Sequence, residues 1–122
     1  MIMSPGRGGI FDTLLRLVRA GLGGTAATGG QFISWIHYAD FIRAIEYLSA
    51  DTGFAGAVNV CAPNPLPNRD FMRILREACG AHFALPASAW MLAVGAVLMR
   101  TETELLLKSR RVVPGRLMNA GF

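Results

Sequence analysis

The sequence predicts an α/β fold with a few short strands, about five helices and too few strands for a complete parallel sheet. Runs with helical spacing of apolar residues alternate with short β-favouring runs, which is the pattern of α/β proteins. Hydrophobic residues make up 52% of the chain and charged residues 16%, which excludes a disordered tail. With 122 residues, the chain is long enough for one core and too short for two ordinary domains.

Three short runs are predicted as strands. Residues 1–5 are apolar and closed by Pro-Gly, as at the end of a buried strand that enters a loop. Residues 31–37 alternate in part and are rich in β-favouring side chains, and residues 58–62 form another short apolar run. The prolines of residues 63–67 hold the next segment extended, because proline fixes its own φ.

Helices are predicted where apolar residues recur every three or four positions. Glycine ends three of them, and Asn68 is expected to cap the third. That third helix is expected to bury Phe71, Ile74, Leu75 and Ala78. The predicted helices cover residues 10–20, 38–50, 69–79, 86–98, 101–108 and 114–120.

The charge distribution argues against nucleic acid as a partner. The net charge is +4 and the isoelectric point about 9.8. The basic residues are scattered, however, and the tight cluster of Lys108, Arg110 and Arg111 has no aromatic residues interleaved. The mean hydropathy of +0.39 is high for a small domain and predicts apolar surface intended for a partner or a further segment.

The cysteines and the apolar stretch indicate a cytoplasmic protein without a membrane span. Cys61 and Cys79 are far apart, with no Cys-x-x-Cys and no signal-like opening, which favours a reducing compartment. Residues 83–99 are uncharged, but they are fewer than the roughly 20 that a bilayer needs, and Pro86 falls near their start. A buried helix is the prediction, and a membrane-associated protein is the alternative.

Three kinds of catalytic or ligand site can be tested against the residue types and their spacing. Ser34, His37 and Asp40 are the residues of a hydrolase triad, but Ser34 and His37 would face opposite sides of a strand, and Gly-x-Ser-x-Gly is absent. His82 and the cysteines show no metal-ligand spacing, so no metal site is predicted. Residues 6–9 match no known phosphate cradle and are either an entry turn or a contact to substrate or an anion.

The order of three segments resembles a known family. Residues 21–24, then 29–40 with Ser-Trp-Ile-His, then 58–65 with Ala-Pro-Asn-Pro closely resemble the later half of the atypical extended short-chain dehydrogenase/reductases, the NAD-dependent epimerase-like proteins. Residues 104–122 resemble that family's C-terminal module of unassigned function. The resemblance implies an incomplete Rossmann-type fold, with residues 1–122 as the substrate-binding and C-terminal portion and the N-terminal cofactor-binding part absent.

The resemblance also implies roles for individual residues. The parent protein is expected to use NAD or NADP on a small-molecule substrate, as a nucleoside-diphosphate-sugar epimerase-like enzyme. This chain, without a strand-linked Gly-x-Gly-x-x-Gly or a Tyr-x-x-x-Lys pair, is expected to bind no cofactor and to be inactive alone. Pro5 and Gly6 are the expected cofactor contacts. The expected substrate contacts are Gly8, Gly9, Gln31, Ser34, Trp35 and His37.

One departure from the family bears on the substrate. Related sugar-nucleotide epimerases often carry an arginine that pairs with substrate phosphates at the position of Ile33. An alkyl group cannot neutralise a diphosphate, so a less charged ligand is expected. The alternative function is a small non-catalytic interaction module that docks through an apolar face. In either case, exposed apolar surface or open strand edges are expected to produce homo-oligomers.

Overall fold

The computed structural model describes residues 1–50, 53–85 and 109–122. These residues confirm the predicted α/β class with few short strands. The helices predicted at 86–98 and 101–108 lie outside the described residues. The elements in chain order are β1 (Ile2–Met3), α1 (Ile10–Arg19), β2 (Phe32–Ile33), β3 (Ile36–His37), α2 (Tyr38–Ala50), β4 (Leu66–Pro67), α3 (Asn68–Cys79) and α4 (Gly115–Asn119).

The strands form two separate two-stranded sheets. β1 lies parallel to β3, with Ile2 opposite Ile36, whereas β2 lies antiparallel to β4, with Ile33 opposite Leu66. The segment predicted as one strand, residues 31–37, is therefore shared between two sheets, because its two ends pair with different partners.

The strand predicted at residues 58–62 is wrong. This segment is not part of either sheet; it reaches its neighbour through one backbone hydrogen bond, from Ala62 N–H to the carbonyl of Trp35 at 2.7 Å. The strand that pairs with β2 is β4, which comes later in the chain, inside the proline-rich stretch. β-favouring side chains alone do not produce a strand, because a neighbouring strand must also supply backbone hydrogen-bond partners.

The core lies between α1 and α3. Leu14 and Val18 from α1 pack against Phe71, Met72 and Leu75 from α3, and each of these side chains is at most 6% exposed. Full burial of one such side chain stabilises the fold by about 1.5–3 kcal/mol. The core thus joins the first and third helices directly, although β2, β3, α2 and β4 separate them in the sequence.

Two positions on α3 that are predicted to be buried are exposed. Ile74 is 45% exposed and Ala78 is also exposed, whereas Met72 is buried. Successive helical residues are about 100° apart, so the face centred on Phe71, Met72 and Leu75 leaves Ile74 pointing away. The prediction that Ile74 and Ala78 are buried is wrong.

In the glycine segment after α1, residues 21–30, the backbone lies close to the end of the helix. Gly21 has a φ of +77° and donates its N–H to Val18 at 3.1 Å, which ends the helix. A Cβ on Gly23 would lie 2.6 Å from Cγ2 of Val18, so only glycine fits there. The segment therefore packs back on the helix that it leaves.

Asn68 does not cap α3, contrary to the prediction. It is the first residue of the helix, and its buried Oδ1 accepts the N–H of Ala26 at 2.8 Å. Its own N–H donates to the carbonyl of Gln31 at 2.8 Å, and Nε2 of Gln31 donates to the carbonyl of Ala26 at 2.9 Å. The asparagine is used to fix the glycine segment, because buried backbone groups there need partners.

The C-terminal residues return to the sheets. Arg110 N–H donates to the carbonyl of Phe32 at 3.0 Å, and α4 is held by the Tyr47 hydroxyl, which donates to the carbonyl of Ala120 at 2.7 Å. Leu117 of α4 is 2% exposed. Across the three described ranges, no helix has both the length and the apolar character needed to cross a bilayer.

Candidate functional site

The parallel pair β1–β3 brings several predicted site residues to one edge. Met3 lies opposite His37, so the turn after β1 and the end of β3 lie at the same edge. In open α/β sheets, ligands bind outside the carboxyl ends of the strands. The predicted contacts at this edge are Pro5, Gly6, Gly8, Gly9 and His37, all of them exposed.

The turn between β1 and α1 already holds a carboxylate. Gly8 donates its N–H to Oδ2 of Asp12 at 3.0 Å, and the same oxygen lies 2.9 Å from Nη2 of Arg16. The Gly8 N–H holds the pKa of Asp12 below its ordinary value, and Arg16 acts in the same direction. An incoming anion would have to compete with Asp12 for this amide, so the turn is better suited to an uncharged group.

His37 is fixed by its own backbone. Its Nδ1 accepts the N–H of Ala39 at 3.3 Å, and its ring lies 4.7 Å from that of Tyr38. A neutral imidazole that accepts at Nδ1 carries its proton on Nε2. His37 therefore presents a hydrogen-bond donor at the exposed edge.

The remaining predicted contacts lie elsewhere. Ser34 precedes β3, next to the chain start, where its carbonyl accepts the Met1 ammonium group at 2.7 Å. Its hydroxyl donates to the carbonyl of Arg110 at 2.5 Å and accepts the N–H of Val112 at 2.9 Å. Gln31 is buried, and its amide nitrogen donates to Ala26. The structure thus uses the polar groups of Ser34 and Gln31 within the chain, and their contact with substrate stays a prediction.

The three triad-type residues have separate partners. The Ser34 hydroxyl is engaged by the backbone of Arg110 and Val112, His37 by Ala39, and Asp40 lies 3.6 Å from Arg43 in an exposed ion pair. A nucleophile must lie within hydrogen-bond reach of its base. Here each of the three side chains interacts with a different partner and not with another member of the set. In the part of the chain that the structure describes, no group of three His, Cys, Asp or Glu residues could hold a metal ion.

The Trp35 side chain lines a groove that the sequence does not predict. The groove has a volume of about 870 Å³, in the range of small-molecule sites, and lies between α2, residues 61–63 and α4. The indole Nε1 donates to the carbonyl of Asn64 at 3.1 Å, and burial raises the pKa of the Cys61 thiol. No spacing along the chain links these three elements, so only the folded structure reveals the groove. Its other walls include Ile36, Asp40, Arg43, Tyr47, Leu117 and Phe122.

Comparison with known proteins identifies the group to which this arrangement corresponds. No protein-family model matches the chain. The epimerase family protein MT2273 of Mycobacterium tuberculosis is 31% identical over 122 residues, which cover 100% of this chain and 40% of that protein. The epimerase family protein SDR39U1 of Homo sapiens is 30% identical over 115 residues, which cover 94% of this chain and 39% of that protein.

Two solved structures show the same likeness in three dimensions. The crystal structure of human epimerase family protein SDR39U1 (isoform 2) with NADPH superposes with a TM-score of 0.84 at 28% identity, covering 99% of this chain and 40% of the human one. The chain corresponds to part of an epimerase family protein. A nucleoside-diphosphate sugar epimerase from Corynebacterium glutamicum gives a TM-score of 0.67 at 29% identity, covering 98% of this chain and 20% of the other.

These comparisons confirm the family resemblance and the partial Rossmann-like fold of this epimerase family chain. The chain spans about two fifths of the length of the curated relatives reported above. The roles of its residues toward cofactor and substrate stay predictions.

Proposed function

We propose that this chain shapes the substrate pocket of an NAD(P)-dependent epimerase or reductase and does not transfer hydride by itself. The proposal is supported by the parallel carboxyl ends of β1 and β3 and by the likeness to a human relative whose crystal structure contains NADPH. The chain's own residues include neither a strand-linked Gly-x-Gly-x-x-Gly nor a Tyr-x-x-x-Lys pair. The hydride chemistry would therefore come from the cofactor and from residues of the larger protein.

The observation that carries this proposal is a pair of glycines that the fold itself does not need. Gly6 and Gly9 lie at the carboxyl edge, and neither has a φ in the left-handed region. A Cβ on Gly6 would meet only Oγ of Ser4 at an ordinary 3.4 Å, and a Cβ on Gly9 would meet nothing within 4 Å. At the carboxyl edge of parallel strands, glycines without a side chain let something outside the chain approach the backbone closely. We assign that approach to the cofactor at Pro5 and Gly6, and to the substrate at Gly8 and Gly9.

The substrate is best described as a small molecule with little negative charge. Ile33, at the position where related epimerases often have a phosphate-binding arginine, packs against the helical core. Asp12 occupies the Gly8 amide, one of the backbone donors of this turn. A nucleoside diphosphate would find an alkyl group in place of that arginine and would have to displace Asp12 from the Gly8 amide.

A fusion protein tests the proposal. Residues 1–122 would replace the matching residues of the Mycobacterium tuberculosis relative, and NADPH affinity would be measured by fluorescence titration. We expect the fusion to bind NADPH and Gly6→Ala to weaken binding by about tenfold or more, which corresponds to roughly 1.4 kcal/mol. The unfolding midpoint should stay unchanged, because the fold accommodates that Cβ.

Gly115→Ala is the control, since a Cβ there meets nothing within 4 Å and Gly115 lies in α4, away from the carboxyl edge of β1. Equal NADPH affinity in the parent fusion, Gly6→Ala and Gly115→Ala would contradict the assigned contact. Uridine diphosphate is expected to leave the melting temperature of the fusion unchanged, and a clear rise would count against the weakly charged substrate.

A further inference from the structure

A small cavity lies between the glycine segment and the C-terminal end of α3. It has a volume of about 370 Å³, which is in the range of small-molecule sites, and it shares no lining residue with the groove beside Trp35. One wall comes from the glycine segment before β2, and the opposite wall comes from α3 and the residues that follow it. The described residues that line this cavity are Gly24, Thr25, Arg76, His82, Phe83 and Ala84.

The guanidinium group of Arg76 is held in place beside this cavity. Its Nη1 donates to the carbonyl of Gly23 at 2.7 Å, and the residue is partly buried. A guanidinium group carries five N–H donors, so others remain for a further partner. Within the described ranges, no carboxylate pairs with Arg76, whereas Arg16, Arg43 and Arg73 each have one. Arg76 is therefore a positioned positive charge without a counter-ion among these residues.

Three neighbours add further donors around the same space. His82 is exposed, and neither its imidazole nor the Thr25 hydroxyl bonds another described residue. Gly24 is buried, and no described residue accepts its N–H. Buried backbone donors are nearly always paired in native proteins, so the Gly24 amide indicates that an acceptor belongs here. An anion can accept from all of these groups at once.

The walls favour a carboxylate over a phosphate. The planar fork of a guanidinium group matches the two oxygens of a carboxylate. Glu77 lines an adjoining cavity together with Arg76 and His82, and its negative charge opposes a dianion more strongly than a monoanion. Phe83 is 73% exposed beside the cavity, and Ala84 lines the same wall. These two side chains provide an apolar side for the body of a ligand.

We propose that this cavity binds the carboxylate of a small organic acid. Arg76 and His82 contact the carboxylate, the Gly24 amide donates to one of its oxygens, and Phe83 packs against the apolar body. None of the predicted contacts to cofactor or substrate lines this cavity. The site is therefore additional to the proposed pocket at the carboxyl edge and does not depend on it.

Titration with benzoate tests the site. The complete 122-residue chain, labelled with nitrogen-15, would be titrated with sodium benzoate at constant ionic strength while its amide signals are followed by NMR. We expect saturable shifts at Gly24 and Thr25. Arg76→Gln and His82→Ala should each raise the dissociation constant about fivefold or more, because each removes a donor to the carboxylate. Arg43→Gln is the control, since it removes an arginine from α2, outside the cavity.

Two further anions test the class of ligand. Acetate carries the same carboxylate without the ring and should bind more weakly than benzoate, and Phe83→Ala should remove most of that difference. Inorganic phosphate at the same ionic strength should also bind more weakly than benzoate. Tighter binding of phosphate than of benzoate would contradict the assignment to a carboxylate.

The outcomes also separate this site from the proposed function. Absence of saturable shifts at the two amides overturns the proposal, as does one dissociation constant shared by the parent chain, Arg76→Gln and His82→Ala. An equal loss in Arg43→Gln would show a general response to net charge and would overturn it as well. His82 is exposed and bonds no described residue, so His82→Ala should leave the fold intact. Gly6→Ala should bind benzoate like the parent chain, whatever its effect on NADPH.

Discussion

At the scale of single residues, glycine serves two different purposes in this chain. Gly23 is required from within, because a Cβ there would lie 2.9 Å from Cα of Val18. Gly9, in contrast, meets nothing within 4 Å and has an ordinary backbone conformation. The sequence shows both as glycines in glycine-rich stretches. The surrounding structure alone distinguishes the packing glycine from the one that we assign to ligand approach.

Gly23→Ala is expected to lower the free energy of unfolding by about 1–3 kcal/mol, because the new methyl group overlaps the backbone of α1. Urea denaturation followed by circular dichroism would measure this loss. Gly115→Ala has free space for its Cβ and should differ from the parent chain by less than about 0.5 kcal/mol. Equal stability of both variants would show that the approach of Gly23 to Val18 is not as close as described.

Asp12 should make stability depend on pH in the acid range. Its folded-state pKa is lowered from the ordinary 3.8, first by the Gly8 N–H and also by Arg16. The carboxylate therefore stabilises the fold above the unfolded pKa, and this contribution is lost as the pH falls through the folded pKa. The melting temperature of the parent chain should exceed that of Asp12→Asn between pH 5 and pH 7, and the gap should close below about pH 4.

Arg16→Gln provides the comparison for Asp12. The hydrogen bond from the Gly8 amide is the largest single contribution that lowers the pKa of Asp12, so this variant should keep part of the pH-dependent gap. A gap between the parent chain and Asp12→Asn that stays constant from pH 7 to pH 2 would rule out the Gly8–Asp12 bond as its source.

At the scale of elements, a single serine joins the C-terminal segment to the sheets. Ser34 lies between β2 and β3, and its hydroxyl bonds both Arg110 and Val112. The hydroxyl of Ser109 accepts a further hydrogen bond, from the N–H of Phe32, at 3.0 Å. Residues 109–112 are thus positioned by short polar side chains rather than by a regular strand. The sequence placed Ser34 in a substrate site, and the structure shows a structural role that accounts for both of its hydrogen bonds.

Ser34→Ala is expected to loosen residues 109–112 without unfolding the α1–α3 core. The backbone N–H of Val112 loses its acceptor, at a cost of about 1–3 kcal/mol. Hydrogen–deuterium exchange should show faster exchange at Val112, with the core helices unchanged. Ser49→Ala removes a hydroxyl that bonds Ile45 inside α2 and should leave residues 109–112 protected. Unchanged exchange at Val112 in Ser34→Ala would contradict the bond.

At the scale of the whole molecule, the described residues hold two small sheets that leave apolar surface uncovered. Ile2, Ile42 and Ile45 are among the exposed large side chains, as is Phe83 at 73%. The high mean hydropathy of +0.39 anticipates this surface, because charge is scarce relative to apolar residues. Two-stranded sheets are marginal by themselves, which makes an open edge a site for pairing.

The chain is expected to self-associate through this exposed apolar surface. Light scattering over a range of protein concentrations should show dimers or larger species, and Ile45→Glu should shift them toward monomer. Ile74→Glu should do so less, because Ile74 lies on α3, which packs against α1, and not on α2. A monomer of the parent chain at every concentration would contradict this prediction.

The sequence by itself determined the α/β class, the positions of the described helices to within one residue at each end, and the family. These depend on local periodicity, on glycine stops such as Gly80, and on motif order, all of which are written along the chain. The tertiary structure decided the pairing of β2 with β4, the use of Asn68 as a buried tie, the groove beside Trp35 and the uncovered flank of α2. Each of these joins residues distant in sequence, and such contacts depend on packing that local patterns do not encode.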